Sequence, residues 1–362
     1  MSWTLVDTDQ QLIELLEQYR NIERVAVDTE FRRRDTFYPQ AALLQLCWGD
    51  EAYLIDPLAI QDVAPLRDWL ANPSQQKMIH SASEDLEVFE FWLGGLPAAL
   101  FDTQRAAALL GFGVGLGYRA LVHVFCDVDL PKDETQSDWM QRPLTPAQAQ
   151  YAAQDVSYLF PIGERLHRLA EERGRLSWIL EDSARMGPGG KPPLSKFKNA
   201  HRLALEEQQR LAATVLWREQ ESRRLDRPRS WIMTDKLALA VAKAAPRNPR
   251  DLGAVDGMPQ GLVRRAGEAL LTALENATHS AEINALLVDV PAPLNTSQRQ
   301  HLAKLGERIA QISEALEVPA EILMPKAERE LWIRRLENEA LEPSANWSGW
   351  RREVLIESLA AG

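Results

Sequence analysis

Cysteine is almost missing from this chain, with Cys47 and Cys126 the only two in 362 residues. Two thiols cannot build a disulfide framework or a zinc cluster, and they read as buried, reduced side chains of a cytoplasmic protein. Long apolar runs are also missing. The run over residues 41–48 is interrupted by Gln45 and falls far short of the ~20 residues a spanning helix needs. The opening Met1-Ser-Trp-Thr-Leu-Val has neither the basic nor the apolar region of a secretory signal. No heptad run or broad apolar stripe calls for a partner chain, so a monomer is expected. Positive charge is in deficit, 41 Lys and Arg against 52 Asp and Glu, for a net −11. That balance excludes a protein that coats nucleic acid indiscriminately, because such affinity comes from neutralising phosphates. It leaves room for a local basic track beside a cluster of carboxylates.

What remains is ordinary globular composition, 45% apolar and 26% charged. Strands are expected at residues 24–28, 42–48, 52–56 and 77–80. The second and third, separated by Gly49-Asp50-Glu51, should form an antiparallel hairpin. Helical periodicity covers residues 84–93, 102–110, 119–125 and 147–170. A mixed sheet flanked by helices is the resulting α/β architecture. From residue 202 onward only helical patterns occur. Breaks rich in Gly, Pro, Ser and Asn fall at residues 187–193 and 291–297. They divide the chain into an α/β domain, residues 1–190, and two all-helical modules, residues 198–282 and 296–362.

Acidic residues carry the chemistry. In Val25-Ala-Val-Asp-Thr-Glu30 two carboxylates fall two apart at the end of an apolar strand, so both point to one face. By itself Asp-x-Glu at a strand end is more often a solvated turn than a metal site. In His80-Ser-Ala-Ser-Glu-Asp85 the Ser81 and Glu84 spacing matches a capping box. That puts Asp85 on the first helical turn, where it would at least complement the helix dipole. In Thr145-Pro-Ala-Gln-Ala-Gln-Tyr151 the cap, the proline at the first helical position and Gln148 mark a helix start. Tyr151 and Asp155 are then adjacent on one helix face. Carboxylate-only sets suit hard divalent ions such as Mg²⁺ or Mn²⁺, and paired ions recur in phosphodiester hydrolysis.

The ordered set Val27-Asp-Thr-Glu-Phe31, His80-Ser-Ala-Ser-Glu-Asp-Leu-Glu-Val-Phe89, Phe101-Asp-Thr-Gln104, Ser137-Asp-Trp-Met-Gln-Arg-Pro-Leu144 and Tyr151-Ala-Ala-Gln-Asp155 resembles the bacterial ribonuclease D family. That family belongs to the tyrosine-bearing subclass of the DEDD 3′→5′ exonucleases. The resemblance implies a ribonuclease H-like mixed sheet and two divalent metal ions. Asp28, Glu30, Asp85 and Asp155 would hold them. Asp28 would bridge both, Glu30 and Asp155 would hold the ion carrying the attacking water, and Asp85 would support the other. Tyr151 would orient that water together with Glu30. The expected activity is exoribonucleolytic trimming of RNA with a free 3′ end, tRNA precursors and other small structured RNAs, releasing nucleoside 5′-monophosphates without a nucleotide cofactor. A DNA proofreading or repair exonuclease and a non-catalytic RNA-binding scaffold are the rival readings.

The helical half is similar to HRDC modules. The first copy is carried by Trp217-Arg-Glu-Gln-Glu-Ser-Arg-Arg224, Pro228-Arg-Ser-Trp-Ile-Met233 and Asp251-Leu-Gly-Ala-Val-Asp-Gly257, the second by Val318-Pro-Ala-Glu-Ile-Leu323 and Gly349-Trp-Arg-Arg352. Candidate substrate contacts are Phe31, by stacking on a terminal base or as core; His80, toward the terminal nucleotide or the sheet edge; and Arg142, toward the scissile strand or in a salt bridge. Arg32-Arg-Arg34 reads as a phosphate contact or a solvated face. Residues 196–229 hold nine Lys and Arg against five acids, an RNA-facing surface or a helix laced with ion pairs.

Overall fold

The computed structural model describes residues 2–49, 51–130, 137–189, 192–287 and 291–360. Asp50 of the expected hairpin turn and residues 190–191 of the first break lie outside them. A six-stranded sheet forms the frame: β1 (Trp3–Val6), β2 (Arg24–Arg32), β3 (Gln40–Cys47), β4 (Ala52–Ile55), β5 (Gln76–Ile79) and β6 (Leu100–Asp102), in the order β1-β4-β3-β2-β5-β6. The predicted hairpin is the antiparallel β3–β4 pair, β2 runs antiparallel to β3, and β2, β5 and β6 are mutually parallel. Val25, Ala26 and Val27 are fully buried, as befits a central strand covered on both faces. Edge strands β1 and β6 are too short for the alternation to have marked them.

Helices α1 (Asp9–Gln18), α2 (Ala64–Leu70), α3 (Ser83–Leu93), α4 (Thr103–Leu109), α5 (Tyr118–Cys126), α6 (Pro146–Ser157), α7 (Leu159–Glu172) and α8 (Leu176–Ala184) complete this layer. The single helix expected over residues 147–170 is two, α6 and α7, separated at Tyr158. Pro161 supplies the reason, because its ring opposes the carbonyl of residue 157 and it has no N–H to donate. Residues 111–117 form the expected loop, without the strand-to-helix context of a phosphate cradle. Cys47 is buried and Cys126 half-buried, both unbridged.

The helical half contains α9 (Leu205–Leu225), α10 (Arg229–Ile232), α11 (Asp235–Ala244), α12 (Pro249–Gly253), α13 (Gln260–Glu275), α14 (Ala281–Leu286), α15 (Thr296–Leu316), α16 (Ala320–Leu323), α17 (Lys326–Glu337) and α18 (Glu357–Ala360). The chain divides into two compact units. One comprises Met1–Arg32, Gln40–Gly189 and Leu294–Gly362; the other comprises Arg33–Pro39 and Gly190–Pro293. In the first, Leu305, Ile309, Leu323 and Trp347 share a core with Leu109, Leu166 and Ile179. Trp350 stacks on Trp178 with ring centroids 4.7 Å apart. Its indole N–H donates to Asp182 at 2.9 Å, and Arg351 meets both Asp182 oxygens at 2.5 and 2.8 Å.

The second unit packs Leu211, Val215, Val241, Leu252 and Leu270. Phe37 joins it, buried under the guanidinium groups of Arg223 and Arg229, which lie 4.8 and 4.6 Å from its ring centroid. Asp226, ending α9 with φ +49°, accepts the backbone N–H groups of Phe37 and Tyr38 at 2.9 and 3.0 Å. Among the described residues no helix is long and apolar enough to cross a membrane.

Candidate active site

Asp28 and Glu30 occupy the C-terminal part of β2, on the face toward which the strand's alternation aims both. A bulge falls between Glu30 and Phe31. Bulges bend a strand and re-aim its side chains, and this one shifts the register just past the carboxylates, with Phe31 and Arg32 pairing to Ala41 and Gln40 beyond it. Carboxylate oxygens of Asp28, Glu30 and Asp155 lie within 4.8 Å of one another. Asp85 is on the first turn of α3, 6% exposed, and accepts the Thr29 hydroxyl at 2.6 Å. It is the strongest charged influence on Asp28. Three of the four predicted acids thus meet, from β2 and α6, while Asp85 on α3 lies beside them, bonded to Thr29, and is not among the three within 4.8 Å.

The start of α3 differs from its expected form. Ser81 does not cap; it has φ +61°, and the helix begins at Ser83 with no side-chain cap. Asp102 takes that role from a distance, accepting the Ala82 N–H at 2.8 Å while also capping α4 through Arg105 N–H at 2.7 Å. A contact twenty residues away in the chain replaces the local one. Helix α6 begins as predicted: Thr145 and Gln148 exchange both capping-box bonds, at 3.1 and 2.9 Å, with Pro146 first in the helix. Ala149, Ala152 and Ala153 are buried against the sheet, and these small side chains let the helix approach closely. Tyr151 hydrogen-bonds the Asp155 carboxylate. Tyr118, which the sequence reading missed, donates to the carbonyls of Gln154 and Asp155 at 3.0 and 2.5 Å.

Burial, followed by the charges of Asp85, Asp155 and Glu30, holds Asp28 well above the usual carboxylate range. Glu30 is pushed up to about 9 by burial and then by Asp155 and Asp85. Asp85 and Asp155 rise to about 7, chiefly through burial; the Thr29 and Tyr151 hydroxyls partly offset it. Burial and the carboxylates keep Tyr151 protonated. Acids that raise one another's proton affinity form a site suited to cations, and an all-oxygen donor set fits hard divalent ions. The residues therefore fit the implied metal.

Of the other candidates, Phe31 is half-buried just beyond the bulge. His80 lies 3.0 Å from the Thr103 hydroxyl and 5.6 Å, ring to ring, from Tyr118, and burial lowers its pKa to about 4. Its ring is neutral. Arg142 is engaged elsewhere: it contacts both Asp56 oxygens at 2.6 and 2.7 Å and the Ala42 carbonyl at 2.6 Å. Trp139 is buried and packs beside Tyr151, ring centroids 6.0 Å apart.

A 3′-5′ exonuclease family profile matches residues 3–171, and an HRDC domain profile matches residues 207–274. Ribonuclease D of Pseudomonas paraeruginosa is 36% identical over 97% of this chain and 95% of its own length. Ribonuclease D of Xanthomonas oryzae pv. oryzae is 38% identical over 92% of this chain and 91% of its own. The crystal structure of Escherichia coli RNase D, described as an exoribonuclease involved in structured RNA processing, superposes with a TM-score of 0.85 at 32% identity. That match covers 100% of this chain and 98% of the other. The chain belongs to the ribonuclease D family, as a 3′→5′ exoribonuclease.

Proposed function

We propose that this exoribonuclease trims 3′ ends of tRNA precursors and other small structured RNAs by two-metal hydrolysis, releasing nucleoside 5′-monophosphates, as a monomer in the cytoplasm. The observation that carries the reading is the convergence of Asp28, Glu30 and Asp155 within 4.8 Å, with Asp85 tied in through Thr29. These four acids would hold two Mg²⁺ or Mn²⁺ ions, which when bound lower the pKa of a water and stabilise the leaving 3′-oxygen. The Tyr151 hydroxyl, held protonated, donates to Asp155 and orients the attacking water with Glu30. No covalent intermediate on the chain is needed.

Phe31 stacks on the terminal base and the neutral His80 ring borders the terminal nucleotide. Arg142 serves by fixing the segment before α6 through Asp56 and Ala42, which positions Tyr151 and Asp155. The modules are a catalytic domain over residues 1–190, an HRDC domain over 198–282 and a second HRDC-like module over 296–362. The two helical modules help select the RNA.

Product analysis on matched RNA and DNA strands with 3′-hydroxyl or 3′-phosphate ends tests this. Mononucleotides with 5′-phosphates should appear from 3′-hydroxyl RNA with Mg²⁺ or Mn²⁺ and vanish with chelator. Internal fragments, equal cleavage of DNA, or chelator-resistant activity would refute it.

A further inference from the structure

The second unit contains a cavity of about 490 Å³ that shares no residue with the carboxylate cluster. Five cations line it, Arg33, Arg34, Lys196, Arg218 and Arg229, against one acid, Asp235. This occurs in a chain whose net charge is −11. Its size lies within the ~300–1,000 Å³ typical of sites that take whole ligands.

Two of the cations are built into the fold. Arg229 lies over Phe37 and donates to Glu219 at 2.8 Å. Arg218 is only 3% exposed. Its Nη1 donates to the Met233 carbonyl at 2.9 Å and to Asp235 at 2.7 Å, yet its Nε has no hydrogen-bond partner among the described residues. Buried donors are nearly always given an acceptor, so the cavity wall includes a guanidinium whose donor capacity the protein leaves unsatisfied. Arg33, Arg34 and Lys196 are exposed around it. The segment carrying the two arginines is held in place: Asp226 accepts Phe37 and Tyr38 N–H, and Arg227 donates to the Asp35 carbonyl at 3.1 Å. A positive cavity on a fixed frame is preorganised for an anion. Guanidinium forks match the several acceptor oxygens of a phosphate better than a lone point charge does.

We propose that this cavity binds a phosphodiester of the RNA strand other than the one being cleaved. The proposal rests on the ribonuclease reading above for its ligand, but its residues are separate. The test uses the full chain in excess chelator and fluorescence anisotropy with a 5′-labelled single-stranded RNA. Arg34→Ala/Lys196→Ala should weaken binding about tenfold at low salt and reduce the slope of log affinity against log salt by about one to two. Arg34→Lys/Lys196→Arg should restore most of both. A diribonucleotide has a single phosphodiester, the scissile one, so its cleavage with Mg²⁺ should be unchanged in the alanine variant. Unchanged RNA affinity and salt slope would overturn the proposal. So would dinucleotide cleavage falling in step with binding, or displacement of the RNA by polyglutamate of equal charge, which would mark an acidic-protein site. A parent protein that fails to cleave the dinucleotide would refute the nuclease reading, while the salt slopes still judge the cavity.

Discussion

Asp155→Asn should make the metal-free protein more stable while removing its activity. The exchange keeps the shape and removes one charge from a cluster in which Asp28, Glu30 and Asp85 already oppose ionisation. In the folded chain Asp155 is pushed up to about 7 from an ordinary 3.8, chiefly by burial. A raised carboxyl pKa means that the folded state holds the proton more tightly than the unfolded state. Its contribution to stability is therefore complete below about pH 4 and is lost as pH rises through 7. Three pH units at about 1.36 kcal/mol each set the loss on the order of 4 kcal/mol. Asparagine does not titrate and escapes it, and its Oδ1 can still accept the Tyr151 hydroxyl. Urea unfolding in chelator should thus place the variant above the parent by about 2–4 kcal/mol at pH 8, with the two converging near pH 4. Saturating Mg²⁺ or Mn²⁺ should close most of that gap, because a ligand at 100 times its Kd adds about 2.7 kcal/mol to the protein that binds it. Mononucleotide release should fall at least ~100-fold, the same 2.7 kcal/mol expressed in the transition state. A variant that is less stable than its parent in chelator at pH 8, or equally active with metal, would refute the reasoning.

Two further outcomes are expected. Tyr151→Phe removes the hydroxyl that donates to Asp155 and should lower single-turnover cleavage by roughly 10–100-fold with little change in RNA affinity; an undiminished rate would count against a role in orienting the water. Asp182→Ala strips the partner from Arg351, itself 5% exposed, and the acceptor from the Trp350 indole. Leaving that guanidinium buried and uncompensated should cost about 3–5 kcal/mol, which Asp182→Leu/Arg351→Met should largely recover. A loss under ~1 kcal/mol in urea melts would contradict the assignment.

Local chemistry is what the sequence made readable. Thr145, Pro146 and Gln148 specify the start of α6 within four residues, and both capping bonds form. The apolar run ending in Asp28 and Glu30 likewise specifies a central strand and the shared face of its acids. Ser81 and Glu84 show how such reasoning fails. Their spacing satisfies the capping pattern, but Asp102 already takes the Ala82 N–H and Ser81 sits at positive φ. Nothing within ten residues of Ser81 announces that bond. Arg142 is similar: sequence leaves it between the scissile strand and a surface pair, whereas its partner Asp56 is 5% exposed and 86 positions away. Asp182 and Arg351 are 169 positions apart. Their pairing joins residues 294–362 to the first unit, although the Pro-rich break at 291–297 reads as a separation. Periodicity predicts which face of a helix is apolar, but not which other apolar face will cover it.

The geometry of the cluster also explains why so many bonds around it avoid the acids themselves. Carboxylates that repel one another would separate if each were held only by its own side chain. Here the backbone beneath them is fixed from behind: Tyr118 grips the carbonyls at Gln154 and Asp155, Asp102 holds the N–H at Ala82 ahead of Asp85, and β2 is paired on both sides at Ala26. The Thr29 and Tyr151 hydroxyls donate to Asp85 and Asp155, and backbone N–H groups at Thr29 and Asp85 add to the support of Asp28 and Asp85. Strain is thereby confined to protonation equilibria, which a divalent cation can reverse, and kept out of the backbone, which it could not. In an acid site assembled in this way the fold itself gathers the ligands, so binding energy need not be diverted to bringing them together.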